Sequence, residues 1–257
     1  MKRIAALFSI FAFCVGWAVP SIASLEDGLE VYYAFDAPFD NKEILDLSGN
    51  DRKGKVHGDV QQAEGILGYA AMFDGSGDWI SGPISGTSVN VGTGDFTVSF
   101  WFKTTDTMGY MLDSRLWDGK GYYLILHNGS VYWGIQGGGE QYVQAGGYTD
   151  DQWHLALGVR EGSWIGLYLD GELVGEDSGQ NALDVGNPSL CMGKRFSVQD
   201  NSQYYGGLID DFRLYSRALS ADEVQELYNM SQVPIPATIW LMAGGLFGLV
   251  SARKRGK

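Results

Sequence analysis

Cysteine is scarce in this sequence: the 257 residues include only Cys14 and Cys191. Cys14 lies inside an apolar run at the amino terminus, so the rest of the chain has one thiol and no partner for an intramolecular disulfide. The sequence therefore excludes a small disulfide-linked scaffold. Cys191 is expected to be a small apolar residue of the core.

Basic residues are also few, since 18 Lys and Arg stand against 31 Asp and Glu and give a formal net charge of −13. That balance excludes a nucleic-acid binder that depends on a basic phosphate-contacting surface. The glycines lack a three-residue period, which excludes a collagen helix, and the 45% apolar content excludes a disordered chain. The six prolines are scattered and no charged linker divides the chain, so one domain is expected.

The amino terminus has the layout of a secretory signal peptide. Lys2 and Arg3 precede an apolar run over residues 4–19, which is followed by Pro20 and small residues. We expect residues 1–23 to be this signal, with cleavage after Ala23. The alternative is an uncleaved anchor, although the apolar run is shorter than the ~20 residues that a membrane span needs.

The carboxy terminus, residues 233–257, is an apolar stretch that ends in a basic cluster. Twenty apolar residues can just cross a bilayer, and a basic cluster after them would stay in the cytoplasm while the domain lies outside. The layout resembles the PEP-CTERM sorting signal that exosortase enzymes process in Gram-negative bacteria, except that Ile235 replaces its glutamate. The alternative is a plain membrane anchor. The residues that carry the resemblance are Val233, Pro234, Pro236, Arg253, Lys254 and Arg255.

Between these ends, residues 24–232 contain 12 basic and 31 acidic side chains, a formal charge of −19. Glycine and aromatic residues are abundant, as is typical of short strands joined by tight turns. Apolar residues alternate with polar ones over residues 96–103, 131–135, 153–159 and 165–169, and Asn128 with Gly129 is a hairpin turn signal. These patterns predict an all-β sandwich of two antiparallel sheets.

One helix is predicted near the end of this domain. Ser220 and Glu223 have the spacing of a capping box, and Val224, Leu227 and Tyr228 form an apolar stripe at helical spacing. We expect this short helix to lie on the sandwich.

The order and spacing of eight segments resemble a concanavalin A-like, laminin G-like jelly-roll domain over about residues 31–228. This resemblance implies the jelly-roll fold but no particular ligand, because the architecture hosts lectins, adhesion modules and glycosidases alike. The segments are residues 32–36, 46–50, 68–75, 96–102, 151–154, 167–171, 207–215 and 217–220.

No catalytic residues are predicted. Retaining glucanases of this superfamily take two carboxylates about 5 Å apart from Glu-x-Asp-x-Glu or Glu-x-Asp-x-x-Glu on one strand, and this sequence has neither pattern. His57, His127 and His154 have no nucleophile or carboxylate at motif spacing. The chain is therefore interpreted as a non-enzyme.

A calcium ion is the predicted cofactor. In the last strand, Asp210 shares a face with the apolar Leu208, Phe212 and Leu214, so its carboxylate should point inward and need a cation or several hydrogen bonds. The first and last strands of the fold lie close together, which would bring further oxygen ligands near it. The predicted metal ligands are Asp36, Asp46, Asp74 and Asp210. The alternative is that Asp210 accepts backbone N–H groups from a turn.

The same pattern makes Asp211 face the more solvated side. Asp210→Asn is therefore expected to destabilise the domain far more than Asp211→Asn, since exposed charges contribute only ~0 to 1 kcal/mol.

The predicted function is extracellular carbohydrate binding at a cell surface, without nucleic acid as a partner. The runner-up is an adhesive matrix protein that binds another protein, and the third is a glycoside hydrolase. Glycines 137–139 predict a mobile loop at the rim of the sandwich, where binding residues usually lie. Aromatic side chains that could stack on sugar rings are Trp117, Tyr122, Tyr123, Trp133, Tyr142, Tyr148 and Tyr204.

Overall fold

A computed structural model describes residues 23–83, 89, 91–179, 182–186, 189–196 and 203–232. Apart from Ala23, the predicted signal peptide (1–23) and sorting tail (233–257) lie outside these residues. Within the described ranges, no helix combines the length and the apolar character needed to cross a bilayer.

Sixteen strands, two α-helices and a 3-10 turn at Asp40–Lys42 form in the described residues. The helices are α1 (Ala23–Glu26) and α2 (Ala221–Gln232). The strands are β1 (Leu29–Tyr33), β2 (Glu43–Ile44), β3 (Gly54–His57), β4 (Gln61–Glu64), β5 (Tyr69–Asp74), β6 (Trp79–Gly82), β7 (Phe96–Lys103), β8 (Gly109–Asp113), β9 (Gly121–His127), β10 (Ser130–Gln136), β11 (Glu140–Gly146), β12 (His154–Glu161), β13 (Trp164–Leu169), β14 (Glu172–Ser178), β15 (Leu190–Met192) and β16 (Gly206–Tyr215).

The strands form two antiparallel sheets, as the sequence predicts. The first sheet has the order β14-β13-β12-β7-β16-β5-β4, and β1 also pairs with β16. The second sheet has the order β11-β10-β9-β8-β15-β6-β3-β2. The turn between β9 and β10 has positive φ at both Asn128 (51°) and Gly129 (75°), which matches the predicted hairpin.

The main core lies between the two sheets and is built by alternating residues of each strand. Phe96, Val98, Phe100 and Phe102 of β7 are fully buried in it, so the predicted apolar face of this strand is confirmed. On β10, the indole of Trp133 lies in the same core and its Nε1 donates to the carbonyl of Val159 at 3.2 Å. Cys191 is a buried free thiol, and burial raises its pKa.

A second apolar cluster lies on the outer face of the first sheet, beneath α2. Val224 and Leu227 of the helix are buried there, and Tyr228 stacks on Trp101 at 5.8 Å. The capping box is confirmed: the Glu223 N–H donates to Ser220 Oγ at 3.3 Å, and the Ser220 N–H donates to the Glu223 carboxylate at 2.8 Å. Leu25 of α1 belongs to the same cluster, so both helices pack on this side of the sandwich.

Candidate functional site

Aromatic and polar side chains share the outer face of the second sheet where β9, β10 and β11 pair. Opposite residues of paired antiparallel strands lie on the same side, and the register places Tyr123, Gly134 and Tyr142 in one row and Gln136 and Glu140 in the next. The inward residues of these strands fill the main core. Ile125 and Ser130 also face this side. We define the β9–β11 face by seven of its outward side chains, which are Tyr123, His127, Tyr132, Gln136, Glu140, Tyr142 and Gln144.

Tyr142 is the most exposed tyrosine of this face, with 52% of its surface accessible. The ring of Tyr132 lies 5.9 Å from it at an angle of 31°, and His127 contacts Tyr132 edge-on at 5.7 Å. Gln144 lies opposite Tyr132, and both Gln144 and Glu140 are exposed. The arrangement presents ring faces beside amide and carboxylate groups on a rigid sheet.

Tyr123 forms a buried floor for the β9–β11 face. Its ring lies across Gly134, where any Cβ atom would collide with it, so glycine is required at this strand position. The Tyr123 hydroxyl donates to Glu140 Oε1 at 3.0 Å. Burial raises the pKa of Tyr123, and the neighbouring Glu140 raises it further, so the hydroxyl stays protonated and keeps donating.

Arg115 supports Tyr123 from the end of β8. Its guanidinium carbon lies 4.2 Å from the centroid of the Tyr123 ring, within cation–π distance. Asp113 binds the same guanidinium at two atoms, at 3.0 and 3.1 Å. This pair holds the floor of the face in one geometry.

Trp117 stands at the rim of the β9–β11 face on the loop between β8 and β9, and 74% of its surface is exposed. The loop is closed by the N–H of Leu116 donating to the carbonyl of Lys120 at 2.8 Å. Lys120 binds Asp184 at 2.7 Å, and Gly137 packs directly against the Asp184 backbone. Gly137 of the turn at 137–139 is therefore packed against the Asp184 segment, whereas Gly138 has no neighbour within 4 Å, and the mobility of this loop stays a prediction.

The sequence identified part of this surface. Of the candidate stacking residues, Trp117 and Tyr142 are exposed, whereas Tyr122 and Trp133 are buried in the main core. Tyr148 lies elsewhere and contacts His154 edge-on at 5.1 Å. Tyr132 was not among the predicted residues, although its position between the inward Val131 and Trp133 marks it as outward-facing.

The four predicted metal ligands do not converge. Asp46 accepts the N–H groups of Tyr32, Ser48 and Arg52, and Asp74 accepts that of Ser76. No group of three or more His, Cys, Asp or Glu side chains suited to a metal occurs in the described part of the chain. These residues therefore give calcium no assembled site, and calcium binding stays a prediction.

Asp210 makes the contacts of the alternative interpretation, because its Oδ2 accepts the N–H groups of Ile66 and Leu67 at 3.0 and 3.1 Å. Asp36 lies at the same turn, where its Oδ1 accepts the Tyr69 N–H at 2.8 Å. The Oδ1 atom of Asp210 is buried and has no hydrogen-bond partner. Burial raises the pKa of this carboxyl to about 8.

The predicted facing of Asp210 and Asp211 is wrong because β16 contains a β-bulge. The register shifts between Asp210 and Arg213, and Asp211 adopts a left-handed φ of 55°. Asp210 lies opposite Trp101 of the outer cluster, while Phe212 and Leu214 reach the main core. Asp211 is also buried, at 4% exposure, and its Oδ2 binds Nη1 of the buried Arg213 at 2.5 Å.

The three histidines have structural contacts. His154 bridges Asp170 at 2.7 Å and Asp150 at 3.0 Å. Burial alone would lower the pKa of His154, but these hydrogen bonds outweigh it and raise the pKa. His57 stacks on Trp79, far from the β9–β11 face, whereas His127 belongs to it.

A groove of about 530 Å³ lies on the other side of the sandwich, among α1, β1, the 47–49 loop and the end of α2. Its apolar rim includes Leu47 and Met230, which are 55% and 42% exposed. Arg213 and Tyr32 line its wall, with the guanidinium carbon 4.3 Å from the tyrosine ring centroid.

Comparison with curated proteins finds distant relatives. The non-toxic nonhemagglutinin of Paraclostridium bifermentans is 26% identical over 196 residues, which cover 73% of this chain but 16% of that protein. The adhesion G-protein coupled receptor V1 of Danio rerio is 29% identical over 161 residues, covering 52% of this chain and 2% of that protein. The chain thus spans only a small part of these relatives.

Comparison with solved structures finds the same fold. The binding domain of Paraclostridial Mosquitocidal Protein 1 has a TM-score of 0.66 and 20% identity, covering 80% of this chain and 53% of that one. The ligand binding domain of botulinum neurotoxin serotype D in complex with N-acetylneuraminic acid has a TM-score of 0.62 and 21% identity, covering 80% and 52%.

A laminin G family model, described as concanavalin A-like lectin/glucanases superfamily, matches residues 74–225. That match covers more than half of the 257 residues and runs from the end of β5 into α2. The two-sheet architecture and the sequence resemblance agree with it. The chain belongs to the concanavalin A-like lectin/glucanase superfamily.

Proposed function

We propose that the domain is a carbohydrate-binding module and that its glycan lies on the β9–β11 face. The observation that carries this proposal is the exposed ring of Tyr142 beside Tyr132, flanked by Gln144, Gln136 and Glu140. Flat ring faces stack on the apolar faces of sugar rings, while amides and carboxylates hydrogen-bond the hydroxyl groups. A rigid sheet holds these groups in place before the ligand arrives.

The relatives support a binding role. One matching structure is named as a binding domain, and another was solved with N-acetylneuraminic acid. This chain matches about half of each of those structures. The N-acetylneuraminic acid of the second structure can therefore lie in the half that has no counterpart here.

We propose binding without catalysis. A retaining glycosidase needs two carboxylates about 5 Å apart, one of them free to attack the sugar. Around the β9–β11 face, Glu140 accepts the Tyr123 hydroxyl and Asp113 is bound at two atoms by Arg115. A second candidate is adhesion to another protein, which the apolar rim of the groove at Leu47 and Met230 favours.

Tyr142→Ala is expected to weaken glycan binding at least about fivefold, because a central exposed ring often accounts for more than ~1 kcal/mol of binding. The measurement is the affinity of the full chain for the best ligand found on a glycan array. Tyr69→Ala is the matched control, since Tyr69 is 55% exposed on the first sheet. Equal losses in both variants, or none in Tyr142→Ala, would contradict the proposal.

We further propose that the protein is exported and held at the cell surface by residues 233–257, then released by an exosortase-type enzyme. Moving Arg253, Lys254 and Arg255 through the bilayer core would cost roughly 2.5–3.5 kcal/mol each, which favours a stop in the inner membrane. Intact mass spectrometry of native protein should show loss of residues 1–23 and of the chain after the Val233 region. A detergent-extracted form ending in Lys257 would instead support a plain anchor, and an intact cytoplasmic form would contradict export.

A further inference from the structure

A second aromatic group lies on the outer face of the same sheet, at the β6–β3 end. The rings of His57 and Trp79, which are opposite each other on β3 and β6, stack at 3.6 Å and 5°. His57 Nε2 lies 2.9 Å from Ser81 Oγ. The pairing therefore places a fixed, half-buried indole on the side of the sheet that carries the β9–β11 face.

Three lysines surround this indole, and we name them the basic cluster: Lys42, Lys55 and Lys194. Lys194 Nζ lies 4.1 Å from the centroid of the Trp79 ring. Lys55 is exposed and lies opposite Ser81, and Lys42 Nζ donates to the carbonyl of Gly58 at 3.0 Å. Three positive charges therefore lie together in a domain, residues 24–232, whose formal charge is −19.

The lysines of the basic cluster differ from other lysines of the domain in their ion pairs, although Glu43 lies opposite Lys55 in the β2–β3 pairing. Lys53, Lys103 and Lys120 form ion pairs with Glu43, Asp151 and Asp184, whereas no ion pair within the described ranges involves Lys42, Lys55 or Lys194. Burial lowers the pKa of His57, and all three lysines of the cluster lower it further. The three lysines therefore add positive charge beside the stacked rings of His57 and Trp79 on an acidic domain.

The strand order sets the distance between the two surfaces. Three strand steps separate β15, which precedes Lys194, from β10, and six separate β3 from β11. Adjacent strands lie about 4.8 Å apart, so the basic cluster is roughly 15–30 Å from Tyr132 and Tyr142. A single sugar could not contact both. A polysaccharide chain lying across the strands could.

Resting on the proposed function, we infer that the glycan is an acidic polysaccharide: its rings stack at Tyr132 and Tyr142, and its carboxylate or sulfate groups bind Lys55 and Lys194. Carboxylate and sulfate share the anionic oxygens that an ammonium group binds. The domain is acidic overall and would repel a polyanion elsewhere on its surface, so a polyanion should bind where the basic cluster supplies positive charge.

The test measures binding of the full chain to three polymers at low and high salt. Hyaluronan is charged through carboxylates, dextran sulfate through sulfate esters, and dextran is neutral. We expect at least one of the two acidic polymers to bind about tenfold tighter than dextran, and to weaken as salt screens the lysines. The preferred acidic polymer identifies the anionic group.

Single lysine variants locate the binding. Lys55→Gln and Lys194→Gln should each reduce affinity for the preferred acidic polymer several-fold and leave dextran binding unchanged. Lys103→Gln on the first sheet is the matched control and should have no effect. Tyr142→Ala should also weaken binding of the acidic polymer, since both surfaces contact one chain.

The other possible results overturn either the acidic ligand alone or the proposed function as well. Equal or tighter binding of dextran, or unchanged affinity in both lysine variants, overturns the acidic ligand and leaves the proposed function standing. Equal binding of poly-L-glutamate, a polyanion without sugar rings, also overturns it. Failure to bind these polymers together with a blank glycan array overturns the proposed function and this inference with it.

Discussion

Asp211→Asn is expected to lower the free energy of unfolding by about 3–5 kcal/mol, the usual cost of removing one partner from a buried ion pair. Asp211 binds the guanidinium of Arg213 at 2.5 Å, and both residues are buried. The guanidinium also lies over the ring of Tyr32 at 4.3 Å, but a ring face cannot replace a carboxylate. The variant would leave a buried cation without its counter-charge.

The Asp211→Asn substitution removes the negative charge without changing the backbone conformation. Asp211 has a φ of 55°, a conformation that asparagine and aspartate adopt more readily than most other residues, so the β-bulge should survive the substitution. Asp210→Asn is the control, because an amide keeps the acceptor for Ile66 and Leu67 without introducing a charge. Urea denaturation at pH 7 compares them, and equal midpoints for Asp211→Asn and the parent would contradict the ion-pair assignment.

The free energy of unfolding is expected to fall by several kcal/mol between about pH 5 and about pH 9. Burial raises the pKa of Asp210 to about 8, whereas an aspartate in an unfolded chain has a pKa of about 3.9. Between those values the folded state holds a proton that the unfolded state releases. Stability therefore falls as pH rises, by up to about 1.4 kcal/mol per pH unit, and levels off above the folded pKa.

Asp210→Asn should flatten most of this pH profile, because the amide resembles the protonated carboxyl at every pH. The two perturbed histidines act in opposite directions, since the pKa of His154 is raised and that of His57 is lowered, so little slope should remain in the variant. The measurement is denaturant unfolding at a series of pH values. Parallel profiles for the parent and Asp210→Asn would contradict a buried, protonated Asp210.

The fold could be predicted because its strands have clear alternation. The four inward residues of β7, the hairpin at Asn128 and Gly129, and the capping box at Ser220 are each specified by local sequence, and the structure contains all of them. The apolar residues of β12 were also recognised, but Leu155, Leu157 and Val159 pack beneath α2 rather than between the sheets. Alternation alone does not tell which of two apolar surfaces a strand covers.

The error in β16 has a similar origin. One extra residue at the bulge exchanges the two sides of the strand, and nothing in the run from Leu208 to Leu214 marks where the extra residue falls. Asp211 was therefore expected near solvent although it forms a buried pair with Arg213. The predicted metal ligands do not converge because Asp46 and Asp74 each accept backbone N–H groups of their own turns.

The ligand surface was only partly predictable, because an aromatic residue in a strand can face either way. Tyr122 and Tyr123 are neighbours, yet the first lies in the main core and the second forms the floor of the β9–β11 face. The facing of both follows once β10 is fixed by the inward Val131, Trp133 and Ile135. Neighbouring strands must be read together to find such a surface.

The arrangement of the sandwich suits presentation of the β9–β11 face. Both helices pack on the outer face of the first sheet, so the described chain begins and ends on that side. The β9–β11 face belongs to the outer face of the second sheet. A domain held through its carboxy-terminal side would expose this face to its surroundings.

A crystal structure of the chain with a bound oligosaccharide tests the central claim most directly. The account predicts a sugar ring stacked on Tyr142 or Tyr132, with hydroxyl groups bonded to Gln144, Gln136 or Glu140. An oligosaccharide seated instead in the groove beside Leu47 and Met230, with the β9–β11 face left bare, would contradict it.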